Sequence, residues 1–479
     1  MNQPQENVPA PNKPKICCSA RLAVAFGCFV SVFNLTHIRI YVSFAMVCMV
    51  KYVEKNITKQ ELDCPPVETN SNPYLYEFEW SSELRGHLIS GAFYGFLLGP
   101  FIAGILSYKY GGKRVLIVGT IISGFTSATL PELTRIHPQI FFAVRIISGF
   151  FGGFILPSFY DIMSHWIVPE ERQLLVGGAL TGIPFASFSN YPIQGLICSY
   201  LGWIYLFYTS SIWLVFCGIC FCFLIYDHPE HCPFISEKEI AYIQSKIINP
   251  NLDMPIPWGA IFKSLPIWAY IVIHFCVNYG FLTILLSLPL FMKDVHRFDL
   301  QSNGVLSGLP FIGAFLSRLL LSIFFEKLRL KLNVSKNLLR KSFVFIGTVV
   351  TSFSLLAVTF LSCRYRYLVL GLFVLSVIGV ELTLTSGYLL SLLDLCPSYT
   401  NVLTGVSNAI ANLAALLGPV LTGIITAEGN NWEFVHFSVI AVFIFACIFY
   451  LMFGKNERLP WDKVVTEEIP SFHRESAVY

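Results

Sequence analysis

Charge is scarce in this chain. Only 13% of its 479 residues are Asp, Glu, Lys or Arg, about half the share of an average soluble domain. With 55% hydrophobic residues, too few polar side chains remain to cover a soluble core. The common signatures of chemistry are missing as well: there is no GxGxxG, P-loop, HExxH or GxSxG. These absences speak against an enzyme and against a nucleotide-driven pump, and no cofactor is expected. No basic tract interleaved with aromatics points to nucleic acid. "CGICFC" (Cys217, Cys220, Cys222) has metal-like spacing, but it sits in an apolar run without acidic or His neighbours. It reads as small hydrophobic filler, so no metal is expected either. No cleavable signal peptide is expected. The first sixteen residues are polar and Pro-rich, and the apolar run behind them is too long.

What is present is a series of long apolar runs. A spanning helix needs about 20 such residues. Twelve runs qualify, near 22–50, 86–107, 115–132, 139–164, 174–197, 203–226, 265–290, 303–325, 342–362, 367–390, 402–425 and 433–453. The expected fold class is an all-α membrane protein of twelve transmembrane helices. Its longest interruption, residues 227–263, is rich in Pro, His and charge and divides the runs six and six. The expected organisation is an N-terminal tail (1–21), a six-helix bundle (22–226), a linker (227–263), a second six-helix bundle (264–453) and a C-terminal tail (454–479). Two faint echoes relate the halves. Pro169 precedes Gly177 as Pro397 precedes Gly405, and "LISG" at 88–91 matches "VLSG" at 305–308. Such pseudo-symmetric bundles place a substrate between them and expose it alternately to each side.

The net charge of +3 is unevenly placed. Lys13, Lys15, Arg21, Lys109, Lys113, Arg114, Lys327, Arg329, Lys331, Lys336, Arg340 and Lys341 all fall on one side of a twelve-span chain. The positive-inside rule makes that side cytoplasmic, with both termini. Asn56, in Asn-Ile-Thr, falls on the opposite side and is a candidate glycosylation site. Cys17 and Cys18 flank the membrane and are candidates for palmitoylation. Cys64, Cys198 and Cys363 lie near the non-cytoplasmic side, with room for one disulfide whose pairing stays open. "SEKE" at 236–239 has capping-box spacing and predicts a short helix near 237–247.

Ionisable residues inside spans are expensive and mark function by default. Here they are His37, Arg39, Arg145, Asp161, His274, Arg318 and Glu381. At 100° per residue, Thr36, Arg39 and Ser43 share one stripe of the first span, and Asn34, His37 and Tyr41 share another roughly opposite. A guanidinium has the greater need of water or an anion, so the Arg39 stripe is assigned to a cavity and His37 to packing. Arg145 shares a face with Gly149, Gly152, Leu156 and Tyr160, while Asp161 lies on the other side. Two arginines without local carboxylates make a positive site suited to carboxylate or phosphate. Tyr41, Tyr94, Tyr160 and Asn278 are candidates to shape it. Arg318 and Glu381 lie at comparable depth and are candidates for coupling or gating, with His274 and Asp161.

Several stretches resemble the anion:cation symporter family of the major facilitator superfamily, which holds the sialins, vesicular glutamate transporters and type I sodium-phosphate cotransporters. They are "RIYVSFAMVCMV" (39–50), "WSSELRGHLISGAFYG" (80–95), "SHWIVPEER" (164–172), "NGVLSGLP" (303–310), "LDLCPSY" (393–399) and "GVSNAIANLAALLGP" (405–419). The similarity covers about residues 17–455 and implies transport of a small organic or inorganic anion across the lipid bilayer, coupled to H⁺, Na⁺ or membrane potential. It places the family's helix-one and helix-four arginines on Arg39 and Arg145. The chain departs from the family pattern at Gly152 (a Glu there), Tyr160 (a His), Tyr41 (an Asn), Ser391-Leu392 (an Asn-His) and Val168 (a Pro). Glu and His in helix four are the family's candidate proton-handling groups. The alternatives are a receptor or scaffold that keeps the fold without transporting, and a carrier of non-anionic solutes.

Overall fold

The computed structural model describes residues 14, 16, 19–51, 75–168, 171–246, 257–389, 391–396, 399–427 and 431–465. Asn56, Cys17, Cys18, Cys64, Pro169 and Pro397 lie outside the described residues. Within them the backbone is helical, and Val50 and Phe78 form an isolated β-bridge. The helices are α1 (Ala20–Met49), α2 (Ser82–Tyr110), α3 (Gly112–Ile136), α4 (Pro138–Trp166), α5 in two pieces (Arg172–Leu180 and Gly182–Leu201), α6 (Trp203–Leu224), α7 (Leu265–Asp294), α8 (Leu300–Leu332), α9 (Lys336–Thr359), α10 (Cys363–Tyr388), α11 (Thr400–Ala427) and α12 (Trp432–Phe453). They alternate in direction, so both ends of the described chain meet one face, the terminal face. The opposite one is the far face.

Eleven of the described helices are long and apolar enough to cross a membrane. α5, expected as an unbroken apolar run over 174–197, is the exception. It carries Ser187, Ser189, Asn190 and Gln194, and its helix is interrupted at Thr181. The interruption has a local cause: Pro184 has no N–H for the carbonyl of Leu180, four residues back.

Starts and turns follow from short-range chemistry. The side chains of Ser19, Ser81, Asp299 and Ser335 each accept the amide N–H three residues on, capping α1, α2, α8 and α9. α2 passes to α3, and α5 to α6, through single glycines, Gly111 (φ 88°) and Gly202 (φ 99°). Only glycine takes that conformation without strain.

Small residues hold the two halves together along α2–α11 and α5–α8. A Cβ built on Gly195 would lie 3.0 Å from the Gly304 Cα, and one on Gly86 2.4 Å from the Pro419 carbonyl oxygen. Neither contact admits a side chain, as expected where helices pack without a hydrophobic driving force.

The terminal face of the N-terminal half is pinned by Arg21, which is fully buried. Its Nη1 donates to Glu171, between α4 and α5, and its Nε to Glu239 at 2.8 Å. Glu239 belongs to the linker helix Glu237–Lys246, close to the 237–247 expected. Half of the expected capping box forms: Ser236 accepts from the Glu239 amide at 3.3 Å. The Glu239 carboxylate does not return to Ser236. It turns to α1 instead and accepts from the amides of Ala20 (3.3 Å) and Arg21 (3.2 Å). On the far face Cys198 is bonded to Cys48 at the end of α1, a partner outside the three cysteines considered from sequence.

Removing Arg21 strands two buried carboxylates, a change that costs about 3–5 kcal/mol. Arg21→Ala is therefore expected to lower the melting temperature in detergent clearly. Lys51→Ala, whose ion pair with Glu79 is exposed, leaves it unchanged.

Candidate functional site

The two N-terminal arginines sit differently. Arg39 projects from α1 towards α2, its guanidinium 4.7 Å from the centre of the Phe96 ring and 6.0 Å from that of Phe93. It is partly exposed, and its Nε is buried without a partner. No carboxylate pairs with it among the described residues. Arg145 is fully buried and folds back on α1. Nη1 and Nη2 both donate to the Ile38 carbonyl at 3.3 Å, and Nη1 also donates to the Tyr41 hydroxyl at 3.3 Å. Its charge lies over the Tyr41 ring at 5.2 Å. Again no carboxylate is paired with it among the described residues. Tyr41 thus holds Arg145, and its hydroxyl also meets Ser127 at 3.1 Å.

The opposite stripe of α1 packs as expected. His37 Nδ1 meets Asn190 Oδ1 of α5 at 2.7 Å, and Asn34 accepts from Trp213 Nε1 at 2.9 Å. Asn190 spends its own N–H on Ala186, so the His37 ring is the donor to it. Tyr94 is placed away from the seam. It shares an exposed, otherwise apolar stripe of α2 with Leu98, Phe101 and Ile105, the face that lipid covers. Asp161 is also elsewhere: its carboxylate accepts from the Gly112 amide at 3.1 Å and so caps α3. The helix dipole favours a carboxylate there.

The C-terminal half carries a fully formed ion pair. Arg318 of α8 grips Glu381 of α10 with two bonds, Nε to Oε2 and Nη2 to Oε1, both 2.9 Å. Nη1 crosses to the other half and donates to the Leu180 carbonyl at 3.1 Å. Directly after Glu381, α10 widens into a π-helical turn, Leu382–Tyr388, a feature frequent at functional sites. His274 Nδ1 meets Ser407 of α11 at 2.6 Å, and Asn278 turns back to donate to the His274 carbonyl at 2.9 Å. Tyr160 is 40% exposed and close enough to Arg318 to interact electrostatically across the seam.

Two bundles of spans, a central seam and charged groups facing it make the architecture of a carrier. Residues 24–335 match the family described as Major Facilitator Superfamily. The chain belongs to that superfamily. This facilitator is similar to human sialin, 31% identical over 456 residues that cover 93% of this chain and 91% of sialin. It is also similar to the mouse sodium-dependent phosphate transport protein 3, at 29% identity over 95% of this chain and 98% of that one. A crystal structure of a D-xylose–proton symporter shares the fold, with a TM-score of 0.65 at 14% identity, covering 92% of this chain and 99% of that one.

The facilitator is closed at its far face. Ser43 of α1 and Tyr191 of α5 donate to the carbonyls of Leu286 and Leu285 on α7. Lys293, at the end of α7, donates to Val47 of α1 and to Val50 just beyond it, and Arg85 of α2 lies 3.5 Å from Asp294. Sequence reasoning missed these charges because span ends are where charge belongs. It also missed Ser407, Phe93 and Phe96, which carry no charge to mark them.

The position of Arg145 rests on α4 lying directly against α2. A Cβ on Gly149, one turn along from Arg145, would sit 1.9 Å from the Ala92 carbonyl oxygen, a backbone atom that cannot swing aside. Gly149→Ala is expected to destabilise by about 1–3 kcal/mol and to lower folded yield on size-exclusion chromatography. Gly177→Ala, which meets nothing within 4 Å, serves as the neutral control.

Proposed function

We propose that this facilitator is a secondary active carrier of small anions of carboxylate or phosphate type, working by alternating access. The observation that carries the reading is Arg39: a permanent cation deep in a span, partly exposed, with no carboxylate paired to it among the described residues. Arg145 adds a second such charge. A guanidinium so placed is stabilised by an anion that arrives and leaves. The names of the similar proteins, sialin and a phosphate transport protein, agree with that class of cargo.

In this reading Arg39 takes the anion. Tyr41 and Ile38 fix Arg145, whose charge raises the potential of the site. Tyr160 lines the path towards the terminal face, and Asn278 and His274 keep the facing surface of α7 polar. Transport is coupled to an H⁺ or Na⁺ gradient or to membrane potential, and the reaction is vectorial rather than enzymatic. The terminal face is cytoplasmic, because the basic clusters around α2–α3 and α8–α9 gather there. Asn56 then faces the opposite side, where glycosylation occurs. The membrane is the plasma membrane or an endolysosomal or vesicular one.

Uptake of radiolabelled phosphate, sialic acid, glutamate and urate into proteoliposomes tests the proposal. At least one is expected to enter saturably, and Arg39→Ala to reduce its entry about tenfold or more, the scale of losing a buried charge contact. Equal rates for the wild type and Arg39→Ala would remove Arg39 from the site. Saturable uptake of none of the four would overturn the anion reading.

A further inference from the structure

Among the described residues, three hydrogen bonds across the seam end on the same kind of acceptor. The Tyr191 hydroxyl of α5 donates to the Leu285 carbonyl of α7. Asn412 Nδ2 of α11 donates to the Phe96 carbonyl of α2 at 3.3 Å. Arg318 Nη1 of α8 donates to the Leu180 carbonyl of α5 at 3.1 Å. Four residues beyond each acceptor stands a proline: Pro289, Pro100 and Pro184. A helical carbonyl is bonded to the N–H four residues on, and proline has none. Each of these carbonyls is therefore left out of its own helix ladder, and each is met by a donor from the other half.

The three bonds lie at different depths. Leu285 comes late in α7, towards the far face. Phe96 and Asn412 stand midway along α2 and α11. Leu180 comes early in α5, towards the terminal face. The middle bond adjoins the candidate site, because the ring of the same Phe96 covers Arg39. An unpaired carbonyl at membrane depth is costly unless it meets a donor or lines water. At a seam that opens it has both in turn: the donor while the halves touch, and water once they part. A carbonyl already bonded within its helix has less need of either.

We propose that Tyr191, Asn412 and Arg318 position the two halves by latching onto carbonyls that Pro289, Pro100 and Pro184 vacate. The prolines thereby set the balance between the closed and the open seam. This rests on the alternating access of the carrier reading and on nothing about its cargo. The Tyr191 latch holds the far face shut, beside Ser43 on Leu286. The Asn412 latch keeps Phe96 in place over Arg39, and the Arg318 latch lies on the terminal side. Rocking that opens the far face breaks the first and spares the last. Rocking that opens the terminal face does the reverse.

Deuterium exchange of the full chain in detergent, read by mass spectrometry and without substrate, tests this. Tyr191→Phe removes a donor, and Pro289→Ala returns an N–H to the Leu285 carbonyl. Each is expected to speed exchange at the far-face ends of α5 and α7 about fivefold, the scale of one hydrogen bond. The double variant is expected to go no further, since either change alone undoes the same bond. Asn412→Ala, Pro100→Ala and their double are expected to behave alike around Phe96 and Asn412. Pro131→Ala removes a proline from α3, which packs within the N-terminal half, and is expected to leave both regions at the wild-type rate. Tyr191→Phe and Asn412→Ala test the latches even where a proline variant does not fold. Wild-type exchange in both donor variants overturns the latches. Proline variants that exchange like the wild type, doubles whose effects add, or an equal gain in Pro131→Ala overturn the role of the prolines. Absence of anion uptake by the wild type strikes the carrier reading instead and leaves the exchange result standing.

Discussion

A guanidinium cannot give up its charge inside a membrane, and each one in this chain has to be answered by something. The answers divide the molecule. Arg21 and Arg318 are met by carboxylates, with Arg21 sealed at the terminal face and Arg318 sealed at the seam. Arg145 is met by a carbonyl and a phenol, and Arg39 by two phenyl rings. A ring face softens a positive charge but does not neutralise it. The N-terminal half thus keeps an excess of positive charge beside the seam, while the C-terminal half holds a closed neutral pair. The two bundles share a fold and differ in their electrostatics.

The far-face closure is made of weak, replaceable parts. Ser43, Tyr191 and Lys293 all donate to main-chain carbonyls, which water can satisfy equally well once the halves part. Between them lie glycines whose contacts bring backbone to backbone. Such a seam excludes solvent when shut and strands no buried charge of its own when it opens, apart from the Arg85–Asp294 pair. A barrier that must open on every cycle is well served by that composition.

Much of the architecture was legible because lipid leaves a coarse imprint on sequence. Eleven described spans show it through length and apolarity alone. α5 does not, because Asn190 is spent on His37 and its helix is interrupted where Pro184 lacks a donor. Helical phase separated the Arg39 and His37 sides of α1, since that depends only on the local twist, but on the side assigned to a cavity Thr36 and Ser43 are buried in helix contacts and Arg39 alone is partly exposed. It did not reveal that Tyr41, on the His37 stripe, receives Arg145, a contact between residues about a hundred positions apart. The capping role of Asp161 and the outward aspect of Tyr94 were hidden for the same reason, as each depends on where a neighbouring helix lies. The depths of Arg318 and Glu381 allowed a pair to be considered. Its third member, the Leu180 carbonyl, carries no side-chain signal at all.

Arg21 lies near the start of the chain, while the carboxylate of Glu239 comes more than two hundred residues later. During synthesis, therefore, α1 enters the membrane with its basic residue unanswered; Glu171 follows after three further spans, and Glu239 only after five. Only when the linker helix emerges can the cluster close and α1 acquire the cap on its first amides. The N-terminal bundle completes its terminal face last, from the outside, with a segment that is not itself a span.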